Sequence, residues 1–229
     1  MCSVIKNDSK QAANSRSYKY FFRLYLVIRR GRSFLSKNLY SGKNSYNRSM
    51  TRQPLPIIDH IEELKEQKRY SEARVVLEGA IARYLDRYEL YEELADVYIY
   101  EGEYDKATLA LDHAETLEKD SSTGLYLRGY MALINNDFST AISFLERSNI
   151  KSPNNPEVLR NLGWAYTMIG DIKKGVILLQ RALNIAPEDE LIMEDLWVAL
   201  LTQGNIQEAR KYLVQIGRED HITNMGFSL

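Results

Sequence analysis

The chain has 229 residues, of which 45% are hydrophobic and 27% are charged, which is the composition of an ordinary globular protein. Its single cysteine, Cys2, excludes a disulfide framework within one chain and favours a reducing compartment. The formal net charge of −1 hides an asymmetry, because residues 1–53 hold twelve Lys or Arg and one acidic residue, Asp8. The acids are concentrated in residues 54–229, so we expect a basic tail on an acidic body.

Residues 1–53 form a basic leader that is rich in Ser, Asn, Arg and Tyr and has no clear helical period. Its apolar run, residues 20–28, is interrupted by Arg23 and is too short for a bilayer, which needs about 20 apolar residues. We expect a disordered tail, or a start codon assigned too early with Met50 as the true start. The acid-poor, Arg-rich composition also fits a mitochondrial transit peptide. Because the single cysteine favours a reducing compartment, we expect a cytoplasmic protein. A mitochondrial location is the alternative if the leader is a transit peptide.

From residue 54 onward, one 34-residue frame fits the chain five times without an insertion. The windows are 54–87, 88–121, 122–155, 156–189 and 190–223, followed by a short tail, 224–229. The twenty-fourth position of each window is Leu77, Leu111, Leu145, Leu179 and Leu213. The twentieth is Ala73, Ala107, Ala141, Gly175 and Ala209, and the seventeenth is Tyr70, Tyr104, Phe138, Ile172 and Ile206. Chance does not produce several such columns in one frame, so the chain contains internal repeats.

The columns predict two helices in each window and therefore an all-α chain. The fifteenth position, between the two helices, holds Lys68, Gly102, Asn136, Gly170 and Gly204. Gly or Asn at this point accepts the left-handed conformation that ends many helices. A small residue at the twentieth position allows two helices to approach closely. The larger apolar residues at the seventeenth and twenty-fourth positions are expected to fill the space between helices.

The window from Pro156 to Asp189 carries the clearest copy of the repeat, with Gly163 and Tyr166 in its first helix and Pro187 at its end. It resembles a tetratricopeptide repeat, a helix–turn–helix unit of about 34 residues. The resemblance implies a right-handed superhelical solenoid of five such repeats, preceded by the basic leader.

No pattern in the sequence predicts catalysis. The three histidines, His60, His113 and His221, are too far apart to imply a metal site, and no Gly-rich phosphate loop or nucleophile–base pair is present. We therefore expect a non-enzymatic protein without a cofactor, acting as a scaffold for protein binding.

The resemblance also implies that the first helix of each repeat lines a concave groove, with the second, fifth, ninth, twelfth and thirteenth positions facing it. The candidate contact residues at these positions are Glu62, Glu92, Asp96, Tyr100, Tyr126, Tyr130, Arg160, Trp164, Met168 and Glu194. The first half of this set is acidic and the middle is aromatic, so we expect a protein or peptide partner with basic residues. The alternative is that the aromatic residues only pack between helices and the acids only keep the protein in solution.

Three further hypotheses concern the ends of the chain. The basic leader could occupy the acidic groove of its own or a neighbouring molecule. The second helix of the last window could leave an apolar face uncovered and so make a self-assembling structural module. The leader could also attach the chain to nucleic acid or to a membrane surface, although the absence of a recognition motif disfavours nucleic acid. The sequence leaves the oligomeric state open.

Overall fold

The computed structural model describes residues 55–218, and this part of the chain contains helices without strands. The prediction of an all-α repeat fold is confirmed, with two helices in each 34-residue window of the described part. The ten helices there are α1 (Pro56–Glu66), α2 (Tyr70–Ile81), α3 (Tyr88–Glu101), α4 (Tyr104–Leu117), α5 (Ser122–Ile134), α6 (Phe138–Lys151), α7 (Pro156–Ile169), α8 (Ile172–Ile185), α9 (Glu190–Gln203) and α10 (Ile206–Gln215).

Side-chain caps fix where most of these helices begin. The Asn155 side chain accepts hydrogen bonds from the backbone N–H groups of Glu157 and Val158, and Pro156 occupies the first position of α7. Such a cap satisfies N–H groups that have no partner within the helix, and proline there loses no hydrogen bond. Equivalent caps at the starts of α5, α6, α8, α9 and α10 are Ser121, Asp137, Asp171, Asp189 and Asn205.

The fifteenth position of every window adopts the left-handed backbone conformation, as the sequence predicts. The residues and their φ angles are Lys68 (58°), Gly102 (78°), Asn136 (58°), Gly170 (96°) and Gly204 (87°). The chain therefore turns in the same way between the two helices of each window. Lys68 is the member of this set for which the conformation carries a steric cost, because lysine has a Cβ atom and lacks the short amide of asparagine.

The core follows the columns of the sequence at the twentieth and twenty-fourth positions. The leucines of the twenty-fourth position are at most 3% exposed, and the alanines of the twentieth at most 2%. The eighth position is also buried in the end windows, where Ile61 and Trp197 replace a small residue. These side chains fill the space between the helices of each pair, so the core is a continuous stack rather than a single cluster.

The prediction for the seventeenth position is wrong in part. Tyr70, Phe138 and Ile172 are only half-buried, and Tyr104 is 40% exposed. The reason is that this position is the first residue of the second helix, at the edge of the helix pair. A residue in the first turn packs on one side and faces solvent on the other.

The first and second helices of a window approach closely at the eighth position. A Cβ atom built on Gly163 would lie 2.8 Å from Cγ of Leu179 and 3.0 Å from the backbone oxygen of Gly175. Gly129 meets Cγ of Leu145 at 2.8 Å in the preceding window. Glycine at these two points therefore sets the distance between the helices.

The first helices of successive windows also contact one another, in the pairs α3 with α5, α5 with α7 and α7 with α9. Each of them packs as well against the second helix of the window before it, for example α7 against α6. We call the row of first helices, α1, α3, α5, α7 and α9, the inner layer. The side chains that the sequence predicts as contact residues all belong to this layer.

The predictions for the ends of the chain fall largely outside the described residues. The leader, residues 1–53, and the tail, residues 224–229, are not part of residues 55–218. On α10, Val214 is 45% exposed, while Tyr212 and Ile216 are half-buried. Self-association through this face stays a prediction. Within residues 55–218, every helix is too short or too polar to cross a membrane.

We expect Gly163→Ala to lower the free energy of unfolding by about 1–3 kcal/mol, because the new methyl group meets the backbone of Gly175 and the side chain of Leu179. Urea unfolding of the full chain, followed by circular dichroism, measures the change. Gly79→Ala is the matched control, since Gly79 is exposed within α2 and has open space around its Cα. This control should stabilise the chain by about 0.5–1 kcal/mol. Equal effects of the two substitutions would contradict the close approach.

Candidate functional site

The inner layer carries all ten predicted contact residues, and most of them are buried. Glu62, Tyr100 and Met168 are half-buried. The buried members are Glu92, Asp96, Tyr126, Tyr130, Arg160, Trp164 and Glu194. That these residues contact a partner stays a prediction.

Four residues of α1 and α3 form an acidic cluster, which we define as Glu62, Lys65, Glu93 and Asp96. Nζ of Lys65 donates hydrogen bonds to Oε2 of Glu93 at 2.6 Å and to Oδ2 of Asp96 at 2.7 Å. Burial opposes the charge of Lys65, but Asp96 and Glu93 raise the pKa of its ammonium above the ordinary value. The cluster joins the first two windows through charge rather than through apolar contact alone.

Two features of this cluster are not explained by the ion pairs of Lys65. The second carboxylate oxygen of Asp96, Oδ1, is buried and has no hydrogen-bond partner among residues 55–218. Burial, together with the neighbouring Glu93, raises the pKa of Glu62 to about 7. Asp96 therefore has a buried acceptor without a donor in the described part, and Glu62 is ionised only in part near pH 7.

A pair of tyrosines borders the acidic cluster. The rings of Tyr70 and Tyr100 stack with centroids 4.7 Å apart and planes 12° from parallel. Burial and the charge of Asp96 raise the pKa of both phenols, so their hydroxyl groups remain protonated and able to donate. We call this pair the tyrosine wall.

Glu92 has a structural role that its position in the predicted set does not reveal. Oε1 of its carboxyl group accepts hydrogen bonds from Oγ of Ser121 and from the backbone N–H of Gly124, at 2.9 Å for the latter. Both donors lie at the start of α5, where the first N–H groups have no partner within the helix. A Cβ atom at position 124 would lie 2.9 Å from Oε1 of Glu92, so a larger residue there would displace this carboxyl group. Glu92 therefore caps the first helix of the next window.

A second polar network occupies the middle of the inner layer. The Tyr126 hydroxyl donates to Oε1 of Glu157 at 3.1 Å and accepts from Nδ2 of Asn161 at 3.0 Å. Nη2 of Arg160 lies 3.4 Å from Oε1 of Glu157, and its Nε lies 3.7 Å from Oδ2 of Asp195. We call these five residues the central network, and they connect α5, α7 and α9.

Aromatic side chains follow the central network along the layer. The rings of Tyr126 and Tyr130 are nearly parallel, with centroids 6.3 Å apart and planes at 12°. Trp164 is buried about one and a half turns before the end of α7, and Met168 follows about one turn later. At the C-terminal end of the layer, Glu194 forms an ion pair with Arg218.

Sequence reasoning misses the sixth position of the window, which supplies much of this polar contact. Glu93, Asn161 and Asp195 occupy it in the second, fourth and fifth windows. The signal was present in the sequence, because this position is polar in four of five windows: Asp59, Glu93, Leu127, Asn161 and Asp195. A position that is polar and buried inside an otherwise apolar helix indicates a network or a ligand contact.

The other candidate groups in the described part have simpler surroundings. His113 lies against the ring of Tyr91, with centroids 4.2 Å apart. Among residues 55–218, no group of three or more His, Cys, Asp or Glu is arranged to hold a metal ion. The arrangement of the inner layer suits the recognition of charge and aromatic surface, because its polar groups lie along consecutive helices.

We expect Glu92→Gln to change how stability depends on pH. Burial and the nearby Glu93 raise the pKa of Glu92 to about 8, against the opposing hydrogen bonds from Ser121 and Gly124. The folded chain thus keeps a proton that the unfolded chain releases, and this contribution to stability is present below pH 4.5 and lost as the pH rises through 8.

Urea unfolding of the full chain between pH 5 and pH 8.5 tests this dependence. The wild type should lose stability relative to Glu92→Gln, on the order of a few kcal/mol across the range. Glu103→Gln, at an exposed turn, is the control and should parallel the wild type. Parallel pH profiles for the wild type and Glu92→Gln would contradict the raised pKa.

Comparison with known proteins agrees with this geometry. Two family models, both described as tetratricopeptide repeat, match residues 93–156 and residues 132–193. A search of curated protein sequences finds no match to the chain.

Solved structures share the fold at low sequence identity. MamA from Desulfovibrio magneticus RS-1 is 17% identical, with 72% of this chain and 93% of that one covered and a TM-score of 0.57. PilF from Pseudomonas aeruginosa is 16% identical, with 71% and 74% covered and a TM-score of 0.61. A chain of the APC/C hetero-tetramer Cut9–Hcn1 is 18% identical, with 69% and 32% covered and a TM-score of 0.62. The two family matches together assign residues 93–193 to tetratricopeptide repeats, and the helix pairs and repeated columns continue the same pattern through residues 55–218.

Proposed function

We propose that this protein is a non-enzymatic scaffold that binds an extended, basic protein segment along the inner layer. The observation that carries the proposal is the row of carboxylates and aromatic rings on five consecutive first helices. We call this surface the groove and define it by the ten predicted contact residues, from Glu62 on α1 to Glu194 on α9. Family members generally mediate contacts between proteins, which supports a binding role.

The charge of the inner layer favours a basic partner. Within residues 55–218, the carboxyl groups at or beside the groove that can carry negative charge are Glu62, Glu93, Asp96, Glu157, Glu194 and Asp195, and the basic residues of this part that pair with them include Lys65, Arg160 and Arg218. Glu92 lies in the same layer but remains protonated at neutral pH, because burial raises its pKa to about 8. An excess of one sign along a surface attracts ligands of the other sign and speeds their encounter.

The aromatic part of the groove provides the apolar contact that affinity requires. Tyr126, Tyr130 and Trp164 are buried on two neighbouring helices, and the half-buried Tyr100 and Met168 of the same layer are the side chains that a partner reaches first. Aromatic residues are common among those that dominate binding energy. Charge alone gives a fast encounter and modest affinity, whereas desolvated aromatic contacts slow dissociation. The combination suits a segment that carries both basic and apolar side chains. Among the structural neighbours, the Cut9–Hcn1 structure is of a hetero-tetramer, which is consistent with a fold that holds partner chains.

A selection of random dodecapeptides on the immobilised full chain tests the proposal. We expect enriched peptides with basic and aromatic residues, whose affinity falls as salt is added because the attraction is screened. Trp164→Ala should weaken the best peptide by at least about tenfold, as measured by fluorescence anisotropy.

Two further variants separate binding from folding. Met168→Ala changes a half-buried groove residue at little cost to the fold and should weaken the peptide about threefold or more. Ile177→Ala removes an apolar side chain that is 64% exposed on α8, outside the inner layer, and should leave the affinity unchanged. The proposal is wrong if no peptide is enriched, or if all three variants bind as the wild type does.

A further inference from the structure

In the acidic cluster, one of the two carboxylate oxygens of Asp96 has no hydrogen-bond partner among residues 55–218. Oδ2 of Asp96 accepts a hydrogen bond from Lys65 at 2.7 Å, whereas Oδ1 is buried with no hydrogen-bond partner within the described residues. The whole residue is 4% exposed. A buried acceptor without a donor costs about 1–3 kcal/mol, and more when it is charged. Asp96 bears this cost at Oδ1, which makes that atom a candidate for contact with a ligand.

The neighbours of this atom favour a cationic donor over a neutral one. Lys65 donates to Glu93 and to Oδ2 of Asp96, and Glu62 lies close enough to Glu93 and Lys65 for both charges to act on it. Burial and the nearby Glu93 raise the pKa of Glu62, which means that the site resists further negative charge. A positive group beside Oδ1 of Asp96 gives the unpaired acceptor a donor and adds a counter-charge for this carboxylate.

The tyrosine wall favours a guanidinium group over an ammonium group as the bound cation. The rings of Tyr70 and Tyr100 are stacked, half-buried and close enough to Asp96 for its charge to raise the pKa of both phenols. Aromatic faces attract cations, and a planar guanidinium can lie against a ring while its N–H groups reach a carboxylate in the same plane. An ammonium group donates as a point charge and lacks this planar contact.

We propose that the acidic cluster and the tyrosine wall form a binding site for an arginine side chain of the partner, with Oδ1 of Asp96 as its acceptor. The inference rests on the proposed function, because it identifies which part of a basic segment the N-terminal end of the groove recognises. Lys65 keeps its place on Oδ2 and Glu93, and the arginine donates to the other oxygen while its plane rests on the tyrosine wall.

Changes in the ligand test the site without altering the protein. The probe is the tightest arginine-containing dodecapeptide from the selection, made with arginine, lysine or citrulline at each basic position in turn. Citrulline keeps the planar shape and loses the charge. At one position, citrulline should weaken binding to the wild-type full chain by at least about tenfold and lysine by less. Equal affinities for the three peptides at every position would overturn the proposal.

Changes in the protein locate the site. Asp96→Asn should weaken the arginine peptide by at least about tenfold and the citrulline peptide by less than about threefold, so that the two changes are not additive. Asp105→Asn is the matched control, since it makes the same change at an exposed residue in the first turn of α4, and it should leave both affinities unchanged. Equal losses for the two peptides with Asp96→Asn would place the arginine elsewhere and overturn the assignment.

A smaller probe separates this inference from the proposed function. N-acetyl-arginine amide and its citrulline counterpart, titrated separately into the full chain, are followed through the ring NMR signals of Tyr70 and Tyr100. We expect saturable shifts with the arginine compound and none with the citrulline compound, and we expect the Asp96→Asn chain to show none with either compound. This result would support the site even if no dodecapeptide were enriched. Identical shifts with both compounds would overturn it, whatever the outcome of the peptide selection.

Discussion

The architecture depends on the distance between the two helices of a window. At the eighth position of the third and fourth windows, glycine lets the first helix approach the leucine side chain and the backbone of the second. That short distance buries the leucines and alanines of the repeated columns. The side chains of α5 and α7 on the inner layer are therefore held close to the second helices of their own windows.

Polar contacts run across the windows as regularly as the apolar core does. Lys65 joins the first window to the second, Glu92 joins the second to the third, and Tyr126 bonds to Glu157 of the fourth. Arg160 then approaches Asp195 of the fifth. Each contact takes a side chain from one first helix to the next first helix or to its N-terminus. Carboxylates for which we propose contact with a partner thus also link neighbouring windows.

The repeated part of the fold was predictable because each framework position occurs five times, so a departure in one window does not hide the column. The leucine column and the left-handed fifteenth position, including Lys68, were found in this way. The polar network was not, because Glu93, Asn161 and Asp195 share a position but not a residue type. The role of Glu92 depends on Ser121 and Gly124, which become its neighbours only when two windows stack. The half-exposed seventeenth position shows that a regular apolar column does not by itself indicate depth in the core.

The link between Lys65 and the carboxylates of α3 has a consequence for how the stack comes apart. If α1 moved away from α3, Glu93 and Asp96 would lose the ammonium group that donates to both of them. Separation of the first two windows is therefore penalised beyond the loss of apolar contact. In a linear array with nearest-neighbour coupling, such a penalty lengthens the segment that opens as one unit. The first two windows should accordingly exchange their amide hydrogens together, as a single cooperative block.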